Sequence, residues 1–280
     1  MLKAISSESS NRMRIRLLTL GAVLQTVALM PATAAALRPH EAVYDLTLDR
    51  SDSDISGAQG RIALQLKQDA CEALSLDYRF LVRFQQETET TMTDQRTLSR
   101  ETVNGDRFEF ETRSTIDGAE QETVQGKAEN GPGGTHIAYE KPVAREVEIE
   151  LATFPLHHTA QIIEKAQMGQ RIFETRLFDG DNEADKGLTT TALIAPFVEK
   201  PADKPSEAVT TQLAGLRSWL IIESYYNKDS DKDGMPIFET RYRLYENGVS
   251  DDLKLDFGSY ALKGHLSHLS LMDASCPTTR

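Results

Sequence analysis

The sequence predicts a mainly antiparallel all-β protein, and two observations carry this prediction. Apolar and polar residues alternate with a period of two along several segments, the longest of which runs from Leu74 to Phe84. Alternation over this length is typical of strands that bury one face and leave the other in water. Asx-Gly pairs, which are strong hairpin signals, separate the alternating segments. The pairs are Asn104-Gly105, Asp117-Gly118, Asn130-Gly131, Asp179-Gly180, Asp233-Gly234 and Asn247-Gly248.

Strand-like segments lie on both sides of a charged, proline-containing stretch at 199–207. We interpret this stretch as a surface loop or linker and not as a domain boundary. Long amphipathic helices are missing from the pattern, so parallel βαβ units are not expected. The predicted strands include Tyr44–Leu48, Ile62–Leu66, Thr88–Thr93 and Thr97–Thr102 before the stretch, and Trp219–Tyr226, Phe238–Tyr245, Leu253–Phe257 and Ala261–Leu266 after it.

One short helix is predicted between Pro155 and Gly169. Proline at the start and glycine just past the end follow the usual asymmetry of helix termini. Ile162, Ile163 and Ala166 share one face of this helix, with Thr159 at its margin, so we expect the helix to lie against the sheet.

The first 34 residues are predicted to be a secretory signal peptide, cleaved near residues 34–36. Three arginines precede an apolar run at 17–30, and small residues follow it at Ala32-Thr33-Ala34. The alternative is a membrane anchor, but the run is shorter than the roughly 20 residues that span a bilayer. We therefore expect a periplasmic protein that is not an integral membrane protein, with a single β domain over residues 35–280.

The charge of the chain argues against nucleic acid as a partner. Residues 1–34 hold four basic residues and one acidic residue, a net of +3, so the remainder of a chain of net charge −12 carries −15. An acidic surface repels phosphate backbones, and it is also unsuited to docking through basic patches onto anionic lipid.

The two cysteines, Cys71 and Cys276, are expected to form a disulfide in an oxidising compartment. A bridge would stabilise the fold by roughly 5 kcal/mol at most on the chain-entropy model, because it closes a long loop. A metal-binding pair or a reactive thiol remains an alternative reading of these residues.

Two features resemble parts of known metal sites, but neither has the complete pattern of such a site. Asp229, Asp231 and Asp233 have the spacing of the first half of a calcium loop, but Thr240 stands where a twelve-residue loop needs a glutamate. A weak calcium site of another kind stays open there. His157 and His158 are adjacent, so on a helix they point about 100° apart and do not form the i, i+4 pair of zinc proteases.

No motif for catalysis or for a cofactor was found. There is no G-x-S-x-G nucleophile elbow and no glycine-rich phosphate cradle before a helix. We therefore predict a protein without enzymatic activity. The alternative is an envelope hydrolase that uses carboxylates, which close carboxylates of raised pKa in a cleft would favour, whereas an apolar cleft would favour ligand binding.

Several segments along the chain form a recognisable series that covers almost the whole mature chain. The segments are Pro39-His40-Glu41-Ala42-Val43-Tyr44-Asp45-Leu46, Cys71-Glu72 with the strand to Arg79-Phe80, Phe154-Pro155-Leu156-His157-His158-Thr159, Leu177-Phe178-Asp179-Gly180, Arg243-Leu244-Tyr245-Glu246-Asn247-Gly248-Val249-Ser250 and Cys276-Pro277. Together, and in this order, they resemble the EipB-like family of α-proteobacterial periplasmic proteins.

The resemblance implies an antiparallel sheet wound as a spiral or open barrel, similar to the lipoprotein carriers LolA and LolB. It also implies a bridge between Cys71 and Cys276, a role in cell-envelope integrity and a periplasmic tetratricopeptide-repeat partner. No catalytic residue comes with it. A curved sheet of this kind would form a concave pocket for a lipid, a lipoprotein tail, an extended peptide or a protein partner. The sequence does not say which residues would bind such a ligand.

Overall fold

The computed structural model places all fourteen described strands in one antiparallel sheet. The predicted signal peptide and the proline-containing stretch at 199–207 lie outside the described residues, so both stay predictions. The described residues are 37–69, 71–198, 211–228, 230 and 234–273.

Two runs of strands make up the sheet. The first run, in chain order, comprises β1 (His40–Ser51), β2 (Ile55–Asp69), β3 (Ala73–Gln86), β4 (Thr90–Thr102), β5 (Arg107–Ile116), β6 (Ala119–Gly131), β7 (Gly134–Lys141) and β8 (Arg145–Ile149). The second run comprises β9 (Ile172–Leu177), β10 (Leu188–Pro196), β11 (Ser218–Tyr226), β12 (Phe238–Tyr245), β13 (Ser250–Asp256) and β14 (Tyr260–Leu271).

The two runs join where β1 pairs with β14. Neighbouring strands follow the order β8 to β1 and then β14 to β9, so β8 and β9 are the two edges of an unclosed sheet. The chain passes from one edge to the other through the helix, and Thr153 makes a bridge with Leu177 on the way. The prediction of an open, mainly antiparallel β fold is confirmed.

Most of the Asx-Gly pairs mark hairpins, as the sequence predicted. Asn104-Gly105 connects β4 to β5, and Asp117-Gly118 connects β5 to β6 with positive φ at both residues, which matches the twist of the flanking strands. Asp179-Gly180 is different, because it lies in the longer connection between β9 and β10. The Thr-rich segments predicted as two strands form one continuous strand, β4.

The predicted helix is α1 (Pro155–Gln167), with Pro155 in its first turn. Gly169 follows it with φ +76°, a conformation that suits glycine, and its amide donates to the carbonyl of Ala166. The buried side of α1 includes Ile162 and Ile163, as expected, together with His158. Within the described residues, no helix is long and apolar enough to cross a bilayer.

Helix α1 packs against both runs of the sheet. Ile162, Ile163 and Ala166 share a buried cluster with Leu66 of β2 and Ile221 of β11. Since β2 belongs to the first run and β11 to the second, the helix joins the inner faces of the two runs.

An aromatic cluster fixes the segments that flank the helix. Phe154, immediately before α1, stacks on Phe108 of β5 with ring centroids 5.2 Å apart. Phe178, just after β9, meets Phe110 edge to face at 5.4 Å. Aromatic pairs in these geometries contribute about 0.5–1.5 kcal/mol each beyond the area they bury. The cluster therefore ties the entrance of α1 and the end of β9 to the same strand.

Candidate functional site

A cavity of about 600 Å³ lies between the inner face of the sheet and the start of α1. Its size falls within the roughly 300–1,000 Å³ of small-molecule sites. The walls come from β1 to β3 in the first run, from β11 to β13 in the second run and from the connection after β9. The apolar lining includes Leu64, Leu66, Leu76, Leu244, Leu253, Leu255, Ile237 and Phe238.

The period-two pattern of the strands decides which side chains reach the cavity. Leu64 and Leu66 of β2 line it, whereas Gln65 between them contacts Glu41 on the opposite face of the sheet. Successive side chains of a strand point to opposite faces, so the alternation seen in the sequence becomes the apolar wall.

Tyrosine hydroxyls add polar points to this apolar wall. Tyr44, Tyr78, Tyr225 and Tyr242 all line the cavity. The Tyr44 hydroxyl donates to the carbonyl of Ser250 at 2.9 Å. Burial raises the pKa of Tyr44 to about 12, and it also raises the pKa of Tyr242. These hydroxyls therefore stay neutral and can donate hydrogen bonds throughout the neutral range.

A buried hydrogen bond between a histidine and a carboxylate anchors α1 to the second run. His158 Nε2 donates to Glu223 Oε1 at 2.7 Å, and the two residues are 4% and 3% exposed. Thr190 donates to the same oxygen at 3.0 Å, and the Tyr242 hydroxyl donates to Oε2 at 2.5 Å. Burial would raise the pKa of Glu223, but His158, Tyr242 and Thr190 more than offset that effect and hold the pKa below its usual range.

A second carboxylate holds the same helix from the first run. Glu101 of β4 is 2% exposed and accepts hydrogen bonds from the amides of Leu156 at 2.9 Å and His157 at 2.6 Å. These amides are among the unpaired donors of the first helical turn, where negative charge is favourable. Burial is the larger influence, however, and it raises the pKa of Glu101 to about 7.

The pKa of Glu101 predicts that stability falls as the pH rises. The folded state binds this proton more tightly than the unfolded chain, whose glutamate has an ordinary pKa of about 4.3. Between about pH 5 and about pH 8 the group should remove about 3 kcal/mol of unfolding free energy. Urea titrations at the two pH values measure it, and Glu101→Gln should lose less stability over this range than the wild type. An equal loss in both proteins would contradict the assignment.

The connection after β9 gives the cavity an acidic wall. Asp179 Oδ1 accepts from the Asp181 amide at 3.2 Å, and Asp181 Oδ1 accepts from the Glu183 amide at 3.0 Å. Both residues are exposed and line the cavity, and desolvation by the surrounding protein raises the pKa of Asp179. Burial first, and the charge of Asp179 second, raise the pKa of Asp181 to about 6.

His40 provides an acceptor at another point of the cavity wall. It is 3% exposed, and its Nδ1 donates to the carbonyl of Arg38 at 2.7 Å. Burial lowers the pKa of His40, although the hydrogen bond to Arg38 opposes this shift. The ring is therefore neutral, and its Nε2 carries a lone pair that has no hydrogen-bond partner among the described residues.

The remaining residues singled out in the sequence stay as predictions. Cys71 lies in the turn between β2 and β3, whereas Cys276 lies outside the described residues, so the disulfide is untested. The aspartates at 229, 231 and 233 also lie outside them. In the part of the chain that the structure describes, no group of three or more metal-ligating side chains could hold a metal ion. His157 is not part of such a group, and its amide donates a hydrogen bond to Glu101.

Sequence reasoning missed Glu223, although its position carried a signal. Ile221, Glu223 and Tyr225 alternate along β11, so the period of two places a carboxylate on the buried face of an apolar strand. Such a residue is expected to have a partner, because an unpaired buried charge is strongly unfavourable. The partner, His158, is 65 residues away.

The fold and the cavity define a class of proteins in which an open antiparallel sheet encloses a largely apolar site beside one helix. Comparison with known proteins narrows this class, because residues 31–273 match the EipB-like family. The chain belongs to the EipB-like family.

Two relatives support the assignment. The chain is 33% identical over 245 residues to the cell envelope integrity protein EipB of Brucella abortus (strain 2308), covering 86% of this chain and 87% of the relative. A crystal structure of a β-barrel-like protein of unknown function from Brucella abortus superposes with a TM-score of 0.79 at 31% identity, covering 86% of this chain and all of that one. The expected likeness to LolA and LolB stays a prediction.

Proposed function

We propose that this chain is a periplasmic, non-enzymatic protein that supports cell-envelope integrity by binding the acyl chain of a lipid or lipoprotein. The apolar cavity beneath α1 is the observation that carries the proposal. The name of the Brucella abortus relative supports the envelope role, and the signal-like N-terminal pattern supports the periplasm.

The chemistry of the walls favours an acyl chain over an extended peptide. The strands that line the cavity use their amides and carbonyls in the sheet, as in the continuous pairing of β2 with β1 and β3. A peptide in the cavity would find few backbone partners, and unpaired buried peptide groups are unfavourable. An acyl chain needs no such partners and gains about 0.8 kcal/mol for each buried methylene.

The register of the sheet supports the proposed disulfide. Leu66 of β2, His40 of β1 and Leu271 of β14 lie side by side in one row. The strands β2 and β14 run in the same direction on either side of β1. In the sequence, Cys71 and Cys276 each follow that row by five residues. A bridge between them would tie the two runs of the sheet together at this end.

A carboxylate-dependent envelope hydrolase is the second candidate, because Asp179 and Asp181 have raised pKa values and line the cavity. Their placement argues against it. Glycosidases set two carboxyl groups on opposite sides of the scissile bond. Here both side chains come from one short connection and accept hydrogen bonds from its own amides, so they do not lie on opposite sides of the cavity.

A tetratricopeptide-repeat protein of the periplasm is the protein partner that we propose. This part of the proposal rests on the family resemblance. The cavity and such a partner are compatible, because helical-repeat proteins present extended concave surfaces that bind the outside of a domain.

Native mass spectrometry of the mature protein, purified from periplasm without detergent, tests the proposal. We expect an excess mass that is recovered as lipid after extraction, on a chain that lacks the signal peptide and two hydrogens. A reproducible bare mass would contradict acyl binding. A chain that keeps both cysteine hydrogens would contradict the disulfide independently of the ligand.

A further inference from the structure

The charged residues around the cavity are not balanced. Among the described residues, four carboxylates and two basic side chains line it. The two basic groups already have acidic partners, since Lys186 Nζ lies 2.8 Å from Glu183 and Arg241 lies 3.3 Å from Asp252. The carboxylate of Glu223 is satisfied by its three donors, as described above.

Asp179 and Asp181 are the two carboxylates of the cavity wall that have no basic partner among the described residues. Within the described residues, neither makes an ion pair with a basic side chain, and both have only backbone amides as donors. The neighbouring charges with the largest influence on the pKa of Asp181 are those of Asp179, Glu183 and Asp185, and all three are negative. A cation entering the cavity would therefore meet an attractive field here, and an anion would be repelled.

His40 points to the same ligand chemistry independently. It is almost completely buried, it lines the cavity, and its neutral Nε2 lone pair has no partner among the described residues. Because His40 lines the cavity, this unpaired acceptor is a site for a hydrogen-bond donor of a ligand. The acidic wall and the unpaired acceptor of His40 therefore both favour a ligand that carries hydrogen-bond donors.

We propose that the cavity selects single-chain amphiphiles with a protonated amine headgroup and discriminates against anionic headgroups. This inference rests on the proposed acyl binding and adds the headgroup class. The apolar wall takes the chain, while Asp179 and Asp181 take the ammonium group. Charge-assisted hydrogen bonds of this kind are roughly twice as strong as neutral ones.

Three amphiphiles with the same twelve-carbon chain test the proposal by isothermal titration calorimetry below their micelle concentrations. Dodecylamine carries a positive head, dodecyl maltoside a neutral head and dodecanoate a negative head at neutral pH. We expect dodecylamine to bind about tenfold or more tightly than dodecanoate, with the maltoside in between. Salt at about 1 M, with a screening length of about 3 Å, should narrow this difference.

Two variants test which residues cause the preference for a positive headgroup. The double variant with Asp179→Asn and Asp181→Asn should lose the difference between the amine and dodecanoate, with unchanged binding of the maltoside as evidence that the cavity is intact. Glu174→Gln is the matched control, because Glu174 on β9 is an exposed carboxylate that does not line the cavity. The control should keep the wild-type order.

The outcomes separate the two proposals. Equal binding of all three probes, or tighter binding of dodecanoate, would overturn the headgroup inference and leave acyl binding standing. Failure of every probe to bind would overturn both. If the double variant does not fold, the order of the three wild-type affinities and their salt dependence still decide the question.

Discussion

Replacing Glu223 with alanine is expected to destabilise the folded protein by about 3–5 kcal/mol, because each buried donor left without an acceptor costs about 1–3 kcal/mol and the ring of His158 loses its acceptor. The substitution also removes the acceptor of Thr190 and of the Tyr242 hydroxyl. The loss should appear as a lower midpoint in urea, with the slope of the transition unchanged.

Glu174→Ala provides the matched control for this prediction. Glu174 lies on the edge strand β9 and is exposed, so its loss should change stability by no more than about 0.5 kcal/mol. A double-mutant cycle of Glu223→Ala with His158→Ala should show strong coupling, since each single change already breaks the pair. Additive effects of the two changes would contradict a direct interaction across the cavity wall.

The substitution Leu64→Trp is expected to weaken binding of dodecyl maltoside by about 100-fold or more. Leu64 lines the cavity from β2, and an indole in its place would occupy space needed by the chain. Excluding about four methylenes removes about 3 kcal/mol of binding free energy, and each 1.4 kcal/mol is about tenfold. Calorimetry below the micelle concentration measures the change.

Gln65→Trp is the control for the binding measurement. Gln65 is the next residue on the same strand and faces the other side of the sheet, so the same indole should leave the affinity unchanged. Urea titration of both variants separates occlusion from unfolding. Unaltered binding by a folded Leu64→Trp protein would place the chain outside the cavity.

The fold can be predicted well from the sequence, because local patterns of residues determine its strands and its helix. Alternation from Leu74 to Phe84 became β3, and the proline and glycine around residues 155–169 became the two ends of α1. The joining of β1 to β14 was not predictable in this way. It pairs residues that are more than two hundred positions apart, and no local pattern encodes such a register.

The site was harder to predict than the fold, because its residues meet only through the tertiary structure. Asp179-Gly180 has the sequence of a hairpin turn, but it lies in a connection whose acidic side chains face the cavity. The sequence places His158 near the start of the predicted helix. Its bond to Glu223 depends on how the second run of strands folds over α1.

Native mass spectrometry of the wild type and of the two tryptophan variants, each purified from periplasm without detergent, tests the central claim most directly. The acyl-binding account predicts a lipid mass on the wild type and on Gln65→Trp, and its loss from Leu64→Trp, while all three proteins stay folded. The same lipid mass on all three proteins would contradict binding in the cavity, and a bare wild-type chain would contradict acyl binding itself.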